Sequence, residues 1–322
     1  MADSRNKSSI ERVVEGVADC LFRHVRAGES VLVGYSGGLD STVLLHATNS
    51  VAREAKIRLS ALHVHHGLSS HADDWARVCA DACRELGIPL SIRRVTVPTG
   101  TGEGLEAAAR GVRHLAFADC PADWIMMGHH ADDQAETVLH NLLRGAGVRG
   151  AAAIPEVRGG ILRPLLGVPR DMLVAYAGTH QLTWIEDESN SDIHYTRNFL
   201  RREILPLIAS RFPRAREQLA AAAARFSEAE SLLDDLAAVD LGDGSREFPI
   251  PLVLLRNLSD ARARNLLRAM LSWHRVQPPV ERRMKEFVRQ LRTVGNDRHP
   301  RIDLANYSLW CEAGQLHFKV MA

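Results

Sequence analysis

Residues 30–41 read Ser-Val-Leu-Val-Gly-Tyr-Ser-Gly-Gly-Leu-Asp-Ser. The apolar run Ser30–Tyr35 has the length and composition of a buried parallel strand. A helix is predicted to follow over Asp40–Lys56. Between them Gly37 and Gly38 let the backbone approach a ligand closely. The helix start offers N–H groups and a positive dipole end, and Ser36 and Ser41 add hydroxyls. A strand, a Ser-Gly-Gly loop with Leu39 behind it, and a helix therefore predict a phosphate cradle. It is not a Walker A loop, because that motif's lysine is missing, and the G-x-G-x-x-G spacing is absent too. Asp40 would repel phosphate unless a cation lay between them, which makes it a candidate Mg²⁺ ligand; capping the helix is its plainer role.

The alternation continues outward from this stretch. Strands are expected over Leu59–His65, Leu90–Val97 and Trp124–Gly128, with helices over His71–Leu86, Leu105–Ala118 and Ala131–Arg144. Strand-helix repeats of this kind specify an α/β fold with a doubly wound parallel sheet, whose ligands lie beyond the carboxyl ends of the strands. Gly145–Gly160, rich in Gly and Ala, reads as a mobile connection. A helix over Pro169–His180 and a short strand at Trp184–Ile185 follow. From Tyr195 the pattern is mostly helical, and Arg301–Val320 alternates as small strands. The domain boundary is placed between residues 214 and 215, giving a catalytic domain over 1–214 and a smaller, mostly helical domain with terminal strands over 215–322.

Length and composition agree with two globular domains. The chain has 322 residues, 46% hydrophobic and 25% charged. Lys+Arg number 40 and Asp+Glu 39, a net charge of +1 that hides local basic segments. Arg197–Arg216 is one, and Arg256–Arg292, with nine Arg and one Lys against three acids, is another. Aromatics are only 5%, which argues against single-strand binding by rows of rings. The five cysteines contain no C-x-x-C pair, and Cys79 and Cys83, four apart on a helix, read as packing. No apolar leader or membrane-length run is present, so a cytoplasmic, membrane-free protein is expected.

Four further segments carry chemistry. Gly128-His129-His130-Ala131-Asp132-Asp133-Gln134-Ala135-Glu136-Thr137 closes the fourth strand at the same sheet edge as the cradle. Asp133 and Glu136 share a helix face. A zinc site is the rival reading there, but H-E-x-x-H is absent. His63-Val64-His65-His66 ends the second strand. Arg110 and Arg113 share a face of the Leu105–Ala118 helix and could hold phosphate. Glu186–Asn190, followed by Arg197-Asn198-Phe199-Leu200-Arg201, suggests a substrate or RNA contact.

Ser36–Ser41 (SGGLDS) resembles the loop of the PP-loop ATP pyrophosphatases, which split ATP between its α and β phosphates. HVHHGLS, ARGVRH, GHHADDQAET, LLRGAG, RPLL, WIEDESN and RNFLRREILPLI occur in order between His63 and Ile208, a pattern similar to the tRNA(Ile)-lysidine synthetase family. His114 stands where that family often has Tyr, and many of its members carry a further C-terminal RNA-binding domain. The resemblance implies ATP and Mg²⁺ as cofactors, with CAU-anticodon tRNA(Ile) and free L-lysine as partners. Ser36, Gly37, Gly38, Leu39, Asp40, Ser41, His63 and His129 would then hold the nucleotide, with Asp40 on Mg²⁺. Arg110 and Arg113 would face the α-phosphate or AMP. Asp133 and Glu136 would bind lysine's ammonium and take its proton, with the choice of base open. Arg144, Arg197, Asn198, Arg201 and Arg202 would contact tRNA. Two rivals remain: a PP-loop tRNA thiolase, which commonly uses the paired cysteines missing here, and an inactive tRNA-binding protein, which should have lost Ser36, Asp40 or the acids. The sequence leaves open whether the protein is a monomer or a homodimer.

Overall fold

A computed structural model of the chain describes residues 9–98, 105–186, 195–293 and 299–321. The acidic run Asp187–Asn190 lies outside them, and of Arg110 and His114 only the helical backbone is described. The chain divides into two compact units, Met1–Ser227 and Glu228–Ala322.

The first unit opens with α1 (Ser9–His24), then alternates β1 (Ser30–Gly34), α2 (Leu39–Ala52), β2 (Arg58–His65), α3 (Ala72–Leu86), β3 (Leu90–Arg94), α4 (Leu105–Ala118), β4 (Trp124–Met126) and α5 (Ala131–Leu143). Next come the short α6 (Val148–Ala151), β5 (Val157–Arg158), β6 (Ile161–Leu162) and α7 (Arg170–Thr179). The sheet order is β3-β2-β1-β4-β6-β5. β1 pairs in parallel with both β2 and β4, β4 pairs in parallel with β6, and only β5 runs antiparallel. The predicted doubly wound sheet is thus present, and its order reverses between β1 and β4. That reversal opens a crevice at the carboxyl ends of those two strands.

Both sheet faces are covered. Val31 and Val33 pack with Val13, Val17 and Leu21 of α1, Leu44 and Leu45 of α2, and Leu173 and Tyr176 of α7. Leu32 and Leu62 join Phe117 of α4 in a smaller cluster. One face therefore carries most of the apolar burial, which anchors α2 and the loop before it.

Two segments depart from the sequence reading. Residues 145–160 contain α6 and β5, and β6 follows directly, so the expected mobile connection is structured. Two-residue strands are too short to show a period, but Ile161 and Leu162 pair with Ile125 and Met126 and extend the sheet. Trp184–Ile185 forms no strand. Ile185 makes a single backbone bond to the loop, its N–H donating to Gly37 O at 2.8 Å.

After residue 195 come α8 (Thr196–Phe199), a π-helical turn (Leu200–Ile204), α9 (Leu205–Arg211) and α10 (Ala215–Leu241). The unit boundary at Ser227 falls inside α10, whereas the sequence boundary at 214/215 coincides with its start. The second unit continues with β7 (Ile250–Pro251), α11 (Leu252–Asn257), α12 (Asp260–Trp273), α13 (Glu281–Thr293), β8 (Arg301–Asp303), β9 (Tyr307–Glu312) and β10 (Gln315–Val320). Its antiparallel sheet, β7-β10-β9-β8, shares a core with the helices through Leu266, Met270, Met284, Phe287, Leu309 and Leu316.

Gly37 is the most constrained glycine of the loop. Its φ is +85°, and a Cβ there would stand 2.5 Å from Ile185 Cδ1 and 2.9 Å from Cys79 Sγ. Gly37→Ala should therefore lower stability by about 1–3 kcal/mol, through positive-φ strain plus overpacking. Chemical denaturation of the variant beside the unmodified protein measures this, and an unchanged midpoint would contradict it.

Candidate active site

The cradle is preorganised by its own serines. Ser36 Oγ and Ser41 Oγ lie 3.0 Å apart, Ser41 Oγ donates to Gly38 O at 3.0 Å, and Ser36 N–H donates to Ser41 Oγ at 3.2 Å. Thr42 Oγ1 also donates to Gly38 O, at 2.9 Å. Gly38 stands at the N-cap position of α2 and has no side chain to cap it. The opening turn therefore presents backbone N–H groups and the dipole's positive end to an anion.

β4 delivers the second half of the site. A Cβ on Gly128 would meet the carbonyl carbon and oxygen of Asp40, each at 3.0 Å. Glycine here lets the end of β4 lie directly against the first turn of α2. α5 then begins with a capping box. His130 Nδ1 accepts from Asp132 N–H at 3.2 Å, and Asp133 Oδ2 accepts from His130 N–H at 3.0 Å. Because a backbone N–H can only donate, the ring proton of neutral His130 stands on Nε2. That nitrogen lies 3.5 Å from Asp40 Oδ2 and 3.5 Å from Asp133 Oδ2. Burial favours the neutral imidazole, but Asp40, Asp133 and Asp132 outweigh it and raise the His130 pKa. Burial works against the Asp40 carboxylate too, yet His130, Arg170 and Arg201 hold its pKa below the usual value.

The acid pair is not empty. Arg201 Nε donates to Glu136 Oε1 at 2.5 Å, and Arg201 Nη2 donates to Glu136 Oε2 and Asp133 Oδ1, each at 3.0 Å. The sequence reading set Arg201 among tRNA contacts. The structure brings it, from the π-helical turn Leu200–Ile204, to the carboxylates. The Glu136 side chain is 4% exposed and Asp133 19%. Burial raises the Glu136 pKa, with Arg201 opposing.

The histidine motif separates by environment. His63 is buried and donates Nδ1–H to Tyr35 O at 3.0 Å, which leaves Nε2 as an acceptor; burial lowers its pKa. His65 Nε2 faces Asp73 Oδ1 at 3.2 Å and Arg94 Nη1 at 3.3 Å, a structural cluster. His66 is pushed down to about 4 by burial, then by Arg113 and the two neighbouring histidines. Arg113 is exposed on α4, and His129 is half-buried beside the site. Among the described residues no three His, Cys, Asp or Glu side chains converge as a metal cage. Asp40 Oδ1 is buried with no hydrogen-bond partner. A hard cation at the cradle would fit that oxygen and draw its other ligands from phosphate and water.

The other expected tRNA residues differ in exposure. Arg144 ends α5 exposed, Arg202 is exposed, and Arg197 and Asn198 are half-buried. In the second unit much of the basic charge is paired: Arg262 with Asp240, Arg268 with Glu281, Arg289 with Glu286 and Arg292 with Asp260. Acids on neighbouring helices absorb three of these, and Glu286 of the same helix takes Arg289, which charge counts along the chain do not reveal. Arg282, Arg283 and Lys285 are exposed on α13, where Lys285 pairs with Glu281 at 3.4 Å and Arg283 donates to Asp303 O at 3.2 Å.

A switch-point crevice with an uncapped Ser-Gly-Gly cradle defines a PP-loop nucleotide-binding protein. A PP-loop domain model matches residues 6–208, and a TilS substrate binding domain model matches residues 251–317. The chain is 39% identical to a tRNA(Ile)-lysidine synthase of Nitrosomonas europaea, over 99% of this chain and 71% of that protein. It is 51% identical to one of Pseudomonas aeruginosa, over 74% of this chain and 58% of that protein. Against one of Azoarcus sp. the identity is 46%, over 87% of this chain and 63% of that protein. The chain belongs to the tRNA(Ile)-lysidine synthase family, and spans roughly six- to seven-tenths of the length of these relatives. The solved U34-tRNA thiolase NcsA from Methanococcus maripaludis is similar in fold, with a TM-score of 0.58, 20% identity, and coverage of 68% of this chain and 80% of that one.

Two predictions follow from these surroundings. Removing one partner of a buried ion pair costs about 3–5 kcal/mol, and the half-exposed Arg201 sets the lower end. Arg201→Met should thus destabilise by about 3 kcal/mol, and adding Glu136→Leu should recover much of it, because the most deeply buried carboxylate goes with its partner and only the more exposed Asp133 loses a donor. Urea midpoints of the single and double variants decide this; a double variant no better than Arg201→Met would refute it. Separately, burial pushes Cys20 and Cys79 up to about 12 and Cys83 up to about 11. The thiolate is a trace species well below those values, so at pH 8 iodoacetamide should label these three only after unfolding. Rapid labelling of native Cys79 or Cys83 would contradict it and revive sulfur chemistry.

Proposed function

We propose that the protein joins L-lysine to C2 of the wobble cytidine in CAU-anticodon tRNA(Ile), consuming ATP and releasing pyrophosphate and AMP. In the first step the cytidine C2 oxygen attacks the α-phosphate, and the bond to the pyrophosphate leaving group breaks. In the second the lysine ε-amine attacks C2, and AMP leaves. The modified base pairs with A in place of G.

The observation that carries this reading is the junction of an anion cradle and an acid pair through one buried histidine. The N-terminus of α2, with Ser36 and Ser41, binds the pyrophosphate end before and during departure. Asp40, whose Oδ1 is buried without a partner, would hold Mg²⁺, which would supply neutralisation of the phosphate charge. His63 accepts from the nucleotide through Nε2, and His129 borders the same pocket. Arg113, with Arg110 on the same helix, faces the α-phosphate and the departing AMP.

Lysine's side chain has a reference pKa of about 10.4, so it arrives as the ammonium and must shed a proton to attack. Asp133 is the residue we assign to that proton. It is more exposed than Glu136, whose two oxygens both accept from Arg201. Glu136 then orients Arg201 and supplies negative charge. The exposed arginines of the first unit and the open side of α13 hold the tRNA backbone by phosphate contacts. The protein works in the cytoplasm, where tRNA and free lysine meet.

The thiolase reading is weaker: burial raises the pKa of Cys20, Cys79, Cys83 and Cys311, and the likeness to NcsA concerns fold alone. The test is incorporation of radiolabelled lysine into a CAU-anticodon tRNA(Ile) transcript, with and without ATP, beside the methionine tRNA. We expect ATP-dependent label in the first only. Asp40→Ala should lower pyrophosphate release by about 100-fold, the scale of losing a group that stabilises developing charge. Pyrophosphate released without lysine label would retain adenylation and remove Asp133 from its role. Near-normal turnover of Asp40→Ala would remove the cation assignment.

A further inference from the structure

His130 is used twice, and only one use is explained by the fold. Its Nδ1 caps α5 by accepting from Asp132 N–H. Asn, Ser or Asp would serve that purpose as well or better, because short oxygen-bearing side chains are the preferred N-caps. Imidazole adds a second nitrogen on the far side of the ring. That nitrogen sits between two carboxylates from different elements, Asp40 of α2 and Asp133 of α5, at 3.5 Å from each. The side chain is 2% exposed, so the arrangement is held by packing and not by solvent.

The consequence falls on Asp40. Its Oδ2 faces the histidine, while its Oδ1 is buried and without a partner. With Oδ1 bare, the histidine is the neighbour that orients this carboxylate. The same N–H placed between Asp40 and Asp133 lets two acids stand close without driving each other apart. Resting on the function proposed above, we infer that His130 is a positioning residue: through Nε2–H it holds Asp40 and Asp133 in register, so that the nucleotide-facing and lysine-facing carboxylates keep one geometry. It touches neither reacting group.

The two ring nitrogens can be tested separately, because an Asn side chain overlays the Nδ1 side of histidine and a Gln side chain reaches the Nε2 side. His130→Asn keeps an acceptor for the helix cap and removes the reach to Asp40. His130→Gln restores a donor near Nε2 and weakens the cap. Three readouts are taken on the full chain: melting temperature, the rise in melting temperature on adding ATP with Mg²⁺, and kcat and KM(ATP) for tRNA-dependent pyrophosphate release. His130→Asn should melt close to the unmodified protein but lose about 10- to 100-fold in kcat, the range seen when a supporting partner of a ligating group is removed. Its ATP/Mg²⁺-induced rise should shrink as well. His130→Gln should melt lower, yet recover most of the turnover and of the ligand-induced rise.

A merely structural histidine gives the reverse order, with activity following melting temperature and Gln the worse variant; that outcome overturns the inference, as does native turnover in His130→Asn. If His130→Asn does not fold, His130→Gln decides alone, supporting the inference by retained turnover and overturning it by lost turnover in a folded protein. If the unmodified protein shows the ATP/Mg²⁺ rise but incorporates no lysine, the proposed function fails while the role of His130 is still judged by that rise.

Discussion

Everything at the ligand edge depends on how closely the end of β4 approaches the first turn of α2. Gly128 lies where any side-chain carbon would strike the peptide of Asp40. Because that contact is backbone against backbone, the loop after β1 and the helix after β4 share one crevice. The sheet order supplies the crevice by reversing between these strands. The glycine then closes it to hydrogen-bonding range, and His130 and the two carboxylates can meet.

Charge is managed across that contact in a continuous chain: Asp40, His130, Asp133, Arg201, Glu136. Each carboxylate in it has a cation or an N–H donor nearby, which is what burial demands of charged groups. The network links the cradle to the acid pair, so a change at one end is felt at the other. The exception is Asp40 Oδ1, buried and unsatisfied. Buried polar atoms without partners are few in folded proteins, and one beside an anion cradle is a natural seat for a cation that arrives with phosphate.

The second unit is built on different terms. Its helices carry abundant arginine, but much of that charge meets aspartate or glutamate from a neighbouring helix. Such pairs orient helices more than they attract RNA. The apolar core through Leu266, Met270, Phe287 and Leu309 carries the unit.

By itself, the sequence determined the doubly wound sheet, the cradle, the acids of α5 and the family. These are local signals: strand runs ending in glycine, helix periodicity, and a motif whose spacing sets which backbone groups face an anion. It could not show β5 and β6, because two-residue strands have no period and exist only by pairing with β4. It named His129 and passed over His130, since adjacent residues look alike until one ring is seen to cap a helix and reach Asp40. Arg201 read as a tRNA contact because its partners lie more than sixty residues away along the chain. Tertiary structure alone decided which charges are free and which are taken, because ion pairing depends on distances that only the folded chain sets.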